Sequence, residues 1–447
     1  MRMFLLSVSR FVQITKIEML GRCKLKLRFR KKSRAEWLTL FVLVMPFLFF
    51  LLMDILHFPS LVKYTIDVGW VCLLTLLVYK RRRLPNMQSA GLFKIAGAFF
   101  LLTLIGFLYN YYSGLYYLWG MRNNLRFFVF FFACVFFLNT QSVENYMKFF
   151  EKLFWINLPV VLYQFFVLGK EQDLLGGIFG VGRGCNGYTN IFLLIIVTRS
   201  VLRYLNGEEK LFMCLLKSAV AMMIAALSEL KMFFIELVLV VAMTMILTRF
   251  SFRKLWISCA IVLGIVGGIR LLAYVFPLYE GWFTIERIWR AATNKAGYTS
   301  SNDINRLTVV SFALNRFLPT GLNKLFGLGL GNCDFAAFDF LTTPFYRQYG
   351  RLNYVWFSSA FLILETGLVG LMTYCSFFVY LYFAAGKRKR EKKAPTVYCQ
   401  MAQILSAMCL VLVVYNGSLR TEAAFMMYFV LSLPFLPWER AHGKSNQ

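Results

Sequence analysis

Hydrophobic runs of about twenty residues recur along most of this chain, with short polar or basic connections between them. That pattern limits the possible folds more than any other feature. A soluble domain alternates its polarity and rarely carries several such runs. In a bilayer every backbone polar group must be satisfied internally, so only helices and closed barrels can span. The runs here are continuous rather than alternating, and the spans are therefore read as helical. The reading is an all-α polytopic integral membrane protein, with 59% hydrophobic and only 16% charged residues in 447.

The basic residues sit beside these runs. Arg28, Arg30, Lys31, Lys32 and Arg34 precede the first, Lys80–Arg83 follow the second, and Lys387–Lys393 form the densest cluster. Such clusters mark the cytoplasmic ends of spans and are neutralised by anionic headgroups. The formal net charge of +28 is thus assigned to topology and not to nucleic acid. No nucleic-acid partner is expected, and membrane lipid is. The piece Met3–Val8 is too short for a secretory apolar region.

Counting runs gives about twelve spans, at 37–56, 61–79, 92–108, 125–138, 153–168, 188–205, 211–227, 232–247, 255–276, 367–386, 397–415 and 423–436. Both termini then lie inside. The organisation reads as a basic tail 1–36, spans one to nine over 37–276, a long external loop 277–355, three final spans over 356–437, and a tail 438–447. Soluble domains and internal repeats are absent. The loop, roughly seventy-five residues, is too long to be a plain connection and too aromatic to be disordered.

The stretch Tyr354–Ala385 is too long for one ordinary span, and we expect a helix break near Gly367 within E-T-G-L-V-G-L (365–371). Glu365 stands at that break. The outer face collects Arg122, Arg126, Arg183, Glu229, Lys231, Arg270, Glu365, Arg420 and the loop arginines Arg287, Arg290, Arg306, Arg316, Arg347 and Arg351. This reads as a cationic cavity with few carboxylates. Guanidinium groups stay charged and match phosphate bidentately. Arg122 and Arg126, four apart, project from one helical face and could either snorkel to headgroups or pair on an anion.

Two glycine-rich stretches lie on the same side. One, 170–187, carries Arg183; the other is F-G-L-G-L-G-N (326–332), with Gly329 and Gly331. Exposed amides of such loops can cradle an anion, but no nucleotide fingerprint is present. With two histidines and no C-x-x-C among ten cysteines, neither a multi-histidine metal site nor a disulfide scaffold is indicated, and a Cys185–Cys333 bridge is left open. Glu229 and Lys231 occupy a tight outer turn, L-S-E-L-K (227–231), where the plain alternative is a local ion pair.

Five features in order resemble a known group: W-G-M-R-N-N-L-R-F (119–127), L-S-E-L-K, the helix N-R-L-T-V-V-S-F-A-L-N-R-F (305–317), then F-G-L-G-L-G-N and E-T-G-L-V-G-L. With the long outer loop before the last three spans, the chain resembles the bacterial O-antigen ligase/polymerase superfamily, and within it the Wzy-type polysaccharide polymerases, over Leu115–Leu371.

The resemblance implies a membrane glycosyltransferase of the plasma membrane. It would polymerise undecaprenyl-pyrophosphate-linked repeat units for O-antigen, capsule or exopolysaccharide, without nucleotide, metal or other cofactor. A flippase and a chain-length regulator of the same pathway are its implied partners. Arg306, Glu365 and Glu229 are then the candidate catalytic residues. The glycan or pyrophosphate would be bound among Arg122, Arg126, Arg183, Lys231, Arg287, Arg290, Arg351, Arg420, Gly329 and Gly331. Ligases of the superfamily tend to carry a histidine late in the long loop. Here R-L-N-Y-V-W-F-S-S (351–359) has none, which argues against a ligase and leaves the general base open between Glu365 and Glu229. A lipid-linked oligosaccharide flippase is the alternative of another class. It is disfavoured because transporters often show two similar halves with charges at the midplane.

Overall fold

A computed structural model describes residues 33–80, 86–248 and 303–438, with scattered positions between 252 and 274. Among the described residues the regular structure is helical, and the sole extended feature is a bridge at Ile304, whose amide donates to Leu352 O at 3.0 Å. Among the described residues six helices are long and apolar enough to cross a membrane: Ser60–Tyr79, Met87–Asn110, Gly114–Phe137, Cys185–Leu205, Ser358–Arg390 and Thr396–Tyr415. The described residues are therefore all-helical, with several helices apolar and long enough for a membrane.

We number the α-helices used below in chain order: α1 Arg34–Val44, α2 Thr65–Lys80, α3 Met87–Asn110, α4 Gly114–Phe137, α5 Val143–Phe166, α6 Cys185–Leu205, α7 Leu211–Leu227 and α8 Lys231–Leu247. After the sparsely described stretch come α9 Val309–Arg316, α10 Gly321–Phe326, α11 Pro344–Tyr349, α12 Ser358–Arg390, α13 Thr396–Tyr415 and α14 Ala424–Ser432.

Their burial separates centre from rim. The apolar window of α6 is 89% buried, whereas that of the segment containing α2 is 22% buried. An apolar helix that buries so little of itself needs an apolar solvent around it. The centre is aromatic. The run Phe127–Phe132 of α4 is buried and packs on Phe425 and Tyr428 of α14 and Phe377 of α12, with ring centroids 4.9–5.8 Å apart.

Two segments expected as single spans are broken. The first, 37–56, is α1 followed by a 3-10 turn, Met45–Leu48, and a π turn, Phe50–Ile55. Pro46 has no amide proton to continue the α ladder. The last, 423–436, is α14 followed by a 3-10 turn, Leu433–Phe435, around Pro434. The expected break in α12 is present: Gly367 has φ 65° and ψ −169°, a conformation open to glycine and costly to other residues.

Residues 303–355, the described part of the long loop, and the two residues after them fold into α9, α10, α11 and short 3-10 turns. Their own apolar cluster includes Ile304, Val309, Ala313, Leu318, Cys333, Tyr354 and Phe357 and continues onto Phe361 and Leu364 of α12.

Candidate functional site

The break at Gly367 organises the polar end of the bundle. It leaves the last carbonyls of the preceding half-helix without their usual partners. The glycine run supplies them: Leu328 N donates to Leu364 O at 2.7 Å and Gly329 N to Glu365 O at 3.1 Å. The two chains approach so closely that a Cβ at Gly327 would collide with the Glu365–Thr366 peptide. On its other side the run lies against α4. Gly329 abuts the Tyr112 ring, Gly331 the Tyr116–Gly120 backbone, and Tyr112 Oη donates to Leu330 O at 2.6 Å. Gly329 and Gly331 thus serve close packing between α4 and α12.

Glu365 sits under this loop at 2% exposure, and its carboxylate is met by the amides of Gly331 and Cys333. Its Oε1 is buried without a hydrogen-bond partner among the described residues, and the charges of Arg420 and Asp334 act on it. Asp334, 4% exposed, accepts from Arg420 Nη2 at 2.8 Å and from Asn123 Nδ2 at 2.6 Å. The Arg420 guanidinium lies flat on the Phe361 ring, 3.3 Å from its centroid.

Arg122 and Arg126 do share a face, but neither is a bare cation. Arg122 forms a bidentate pair with Asp67 (2.5 and 3.1 Å) and stacks on Trp119 and Tyr64. Arg126, 2% exposed, pairs with Glu422 Oε1 at 2.9 Å and donates to Arg420 O at 2.9 Å; Asp67 stands 3.9 Å away. Tyr188 Oη donates to the other Glu422 oxygen. Burial alone would raise the Glu422 carboxyl, but Arg126, Tyr188 and Arg122 outweigh it and hold its pKa down to about 2. Three guanidiniums, Arg122, Arg126 and Arg420, thus face three carboxylates, Asp67, Glu422 and Asp334. The expectation of few carboxylates is corrected here. Asp67, Asp334 and Glu422 came from separate stretches, and no local motif announced them.

A second group lies where α8, α9 and the end of α13 meet. Arg306, half-buried, stacks its guanidinium on Tyr415 at 4.5 Å and Phe357 at 5.4 Å, with a side-chain hydrogen bond to Tyr415. No carboxylate reaches ion-pair distance of Arg306 among the described residues, and Lys231 is near enough to repel it. Lys231 is itself paired with Glu229 at 2.8 Å, the local ion pair that the sequence allowed. The turn linking the two groups runs from Tyr415 to Glu422, anchored where Ser358 N donates to Asn416 O at 3.0 Å.

The other glycine-rich loop is also spoken for. Val181 N donates to Asp54, Gly177 N to Gln164 and Ile178 N to Asn157, at 2.7–3.1 Å. Arg183 is exposed at its tip, and Arg351, Arg316 and Arg270 are exposed as well. Arg347 is held by Asp339 at 2.9 Å. Arg287 and Arg290 lie outside the described residues. Cys185 and Cys333 are both free and buried, so no bridge joins them. Among the described residues no group of His, Cys, Asp and Glu is arranged to hold a metal ion. No protein-family model matches the chain, and no curated protein matches it.

Proposed function

We propose that the protein is a Wzy-type polymerase. It would extend a glycan on undecaprenyl pyrophosphate at the outer leaflet of a bacterial plasma membrane, through about twelve spans with both termini inside. The observation that supports the reading is that two neighbouring groups, joined by the turn from Tyr415 to Glu422, carry a buried carboxyl, Glu365, whose Oε1 has no hydrogen-bond partner among the described residues, and a half-buried arginine, Arg306, with no carboxylate at ion-pair distance among the described residues.

These groups have matching tasks. The acceptor hydroxyl oxygen attacks the anomeric carbon of the lipid-linked sugar. The bond from that carbon to the pyrophosphate oxygen breaks, and its electron pair leaves with the pyrophosphate. The hydroxyl proton passes to a carboxylate, for which Glu365 is better suited than Glu229, already engaged by Lys231. Arg306, with Lys231 beside it, stabilises the departing charge. The Asp67, Asp334 and Glu422 pairs leave Arg122, Arg126 and Arg420 to shape the site. Glu365 lies beneath residues 326–332, so acceptor entry requires that run to shift.

The test is a reconstitution of the purified protein in vesicles with a lipid-linked repeat unit as the sole substrate. Formation of dimers and longer glycans with release of undecaprenyl pyrophosphate supports the reading. Movement of the substrate between leaflets without transfer would establish a flippase instead. In a parallel reaction with lipid A-core added, transfer only to that acceptor would establish a ligase.

A further inference from the structure

The other end of α12 holds a feature that the proposed reaction does not use. A cavity of about 330 Å³ lies between α12 and α13, lined by Phe383, Gly386, Lys389, Arg390 and Gln403. It is roughly 30 Å from Glu365 along α12, at 1.5 Å per residue. Here the apolar run gives way to Lys387–Arg390, which is the composition of a membrane–water boundary.

Three observations give the cavity a chemistry. Gln403 is 5% exposed, and among the described residues its Oε1 has no hydrogen-bond partner, so the wall holds a buried acceptor that lacks a donor there. A Cβ at Gly386 would stand 2.8 Å from Gln403 Nε2, so the glycine lets the Gln403 amide lie directly against α12 at the cavity wall. Lys389 and Arg390 bring two positive charges. The adjacent acid, Glu391, is engaged with Lys393 at 3.1 Å and Lys387 at 3.9 Å. Lys389 also donates to Leu247 O at 2.9 Å, which ties its ammonium to the end of α8 and leaves it further donors. Phe383, 66% exposed, continues the wall onto the apolar flank.

We infer that this cavity binds a phosphate-bearing anion with hydroxyl groups, supplied by the headgroup of an anionic glycerophospholipid. The phosphate takes Lys389 and Arg390, a headgroup hydroxyl donates to Gln403 Oε1, and an acyl chain lies along Phe383. The carbonyl end of α12 opposes an anion, but its field is confined to the last turn, where four basic side chains outweigh it. Basic pockets between helices at a membrane boundary are suited to such headgroups. The inference stands whether or not the protein is a polymerase.

The probe is phosphatidylglycerol, titrated into the full-length protein in zwitterionic detergent micelles and read by native mass spectrometry. Phosphatidylcholine and inorganic phosphate are titrated in parallel. We expect one retained phosphatidylglycerol, little phosphatidylcholine, and weakening by about fivefold for Arg390→Ala, the contribution of one basic side chain near an anionic headgroup. Gln403→Met should weaken phosphatidylglycerol while leaving the charge intact. Lys387→Ala removes the same charge from the same helix end outside the cavity and should change retention far less. Equal weakening by Lys387→Ala and Arg390→Ala would reduce the effect to general attraction and overturn the site. Saturation by inorganic phosphate that blocks the lipid equally well would overturn the lipid as the source. Should Gln403→Met not fold, the exposed Arg390→Ala still decides.

Discussion

Arg126 and Glu422, 296 positions apart in the chain, meet in a 2.9 Å ion pair that is almost wholly buried. The same guanidinium donates to Arg420 O, so one pair fixes the turn from which Arg420 reaches Asp334. Removing one member of a buried pair leaves an uncompensated charge, which costs about 3–5 kcal/mol. We expect Glu422→Ala to lower the melting temperature of the purified protein sharply. The double variant Arg126→Met/Glu422→Leu should recover much of the loss. A Glu422→Ala protein that melts with the wild type would show that the pair is not needed for stability.

The depressed Glu422 carboxyl also sets a pH window. Its pKa falls from an ordinary 4.5 to about 2 in the folded protein, so the unfolded chain binds its proton first. The stabilisation is fully present above about pH 4.5 and is lost as the pH falls toward 2. Melting curves of wild type and Glu422→Gln should therefore converge over that interval. A constant gap between pH 5 and pH 2.5, as approximate end points, would contradict the assignment.

Gly367 carries a positive φ of 65°, and a Cβ there would strike the Leu325 carbonyl. That positive-φ, extended-ψ backbone alone costs an L residue about 1–3 kcal/mol. Gly367→Ala should destabilise by at least that amount and loosen the glycine run over Glu365. Limited proteolysis between 320 and 335 reports the loosening. Unchanged cleavage and melting would mean that the break does not depend on this glycine.

Glu365→Gln keeps the shape and removes the proton acceptor. In the reconstituted assay we expect polymer formation to fall by about a hundredfold or more, at unchanged membrane abundance. Lys387→Ala is the appropriate control, because its side chain is exposed. Arg388 in the same cluster is 1% exposed and donates to the carbonyls of Pro434 and Lys393, so its removal would disturb the fold. Full activity in Glu365→Gln would remove this carboxyl from the chemistry.

Arg306 separates charge from geometry. A lysine retains the charge and loses the planar fork. Arg306→Ala should cost about a hundred- to a thousandfold in polymerisation rate, the usual loss of one donor aimed at developing charge. Arg306→Lys should restore part of it. Because the guanidinium also stacks on Tyr415 and Phe357, both variants need a melting measurement beside the rate. Wild-type rates in Arg306→Ala would place the pyrophosphate elsewhere.

The sequence by itself determined the features that depend on neighbours along the chain. Continuous apolar runs of span length require helices in lipid, and that reading matches the helical chain observed. The break in α12 was legible for the same reason, since a glycine beside a buried acid in an overlong helix is a local signal. The ion pair of Glu229 with Lys231 is likewise local, two residues apart. The breaks around Pro46 and Pro434 carried local signals too, but the length of the apolar runs masked them.

Tertiary structure decided how the charges are spent. Asp67 meets Arg122, Asp334 meets Arg420 and Glu422 meets Arg126 across 55, 86 and 296 positions. A charge buried in a bundle must find a partner wherever packing brings one, and no spacing rule in one sequence encodes that partner. The glycine runs show the same division. Their composition announced exposed amides, yet packing spent those amides on the Leu364 and Glu365 carbonyls and on the Asp54, Asn157 and Gln164 side chains, because an unpaired amide inside an apolar bundle is too costly to leave open.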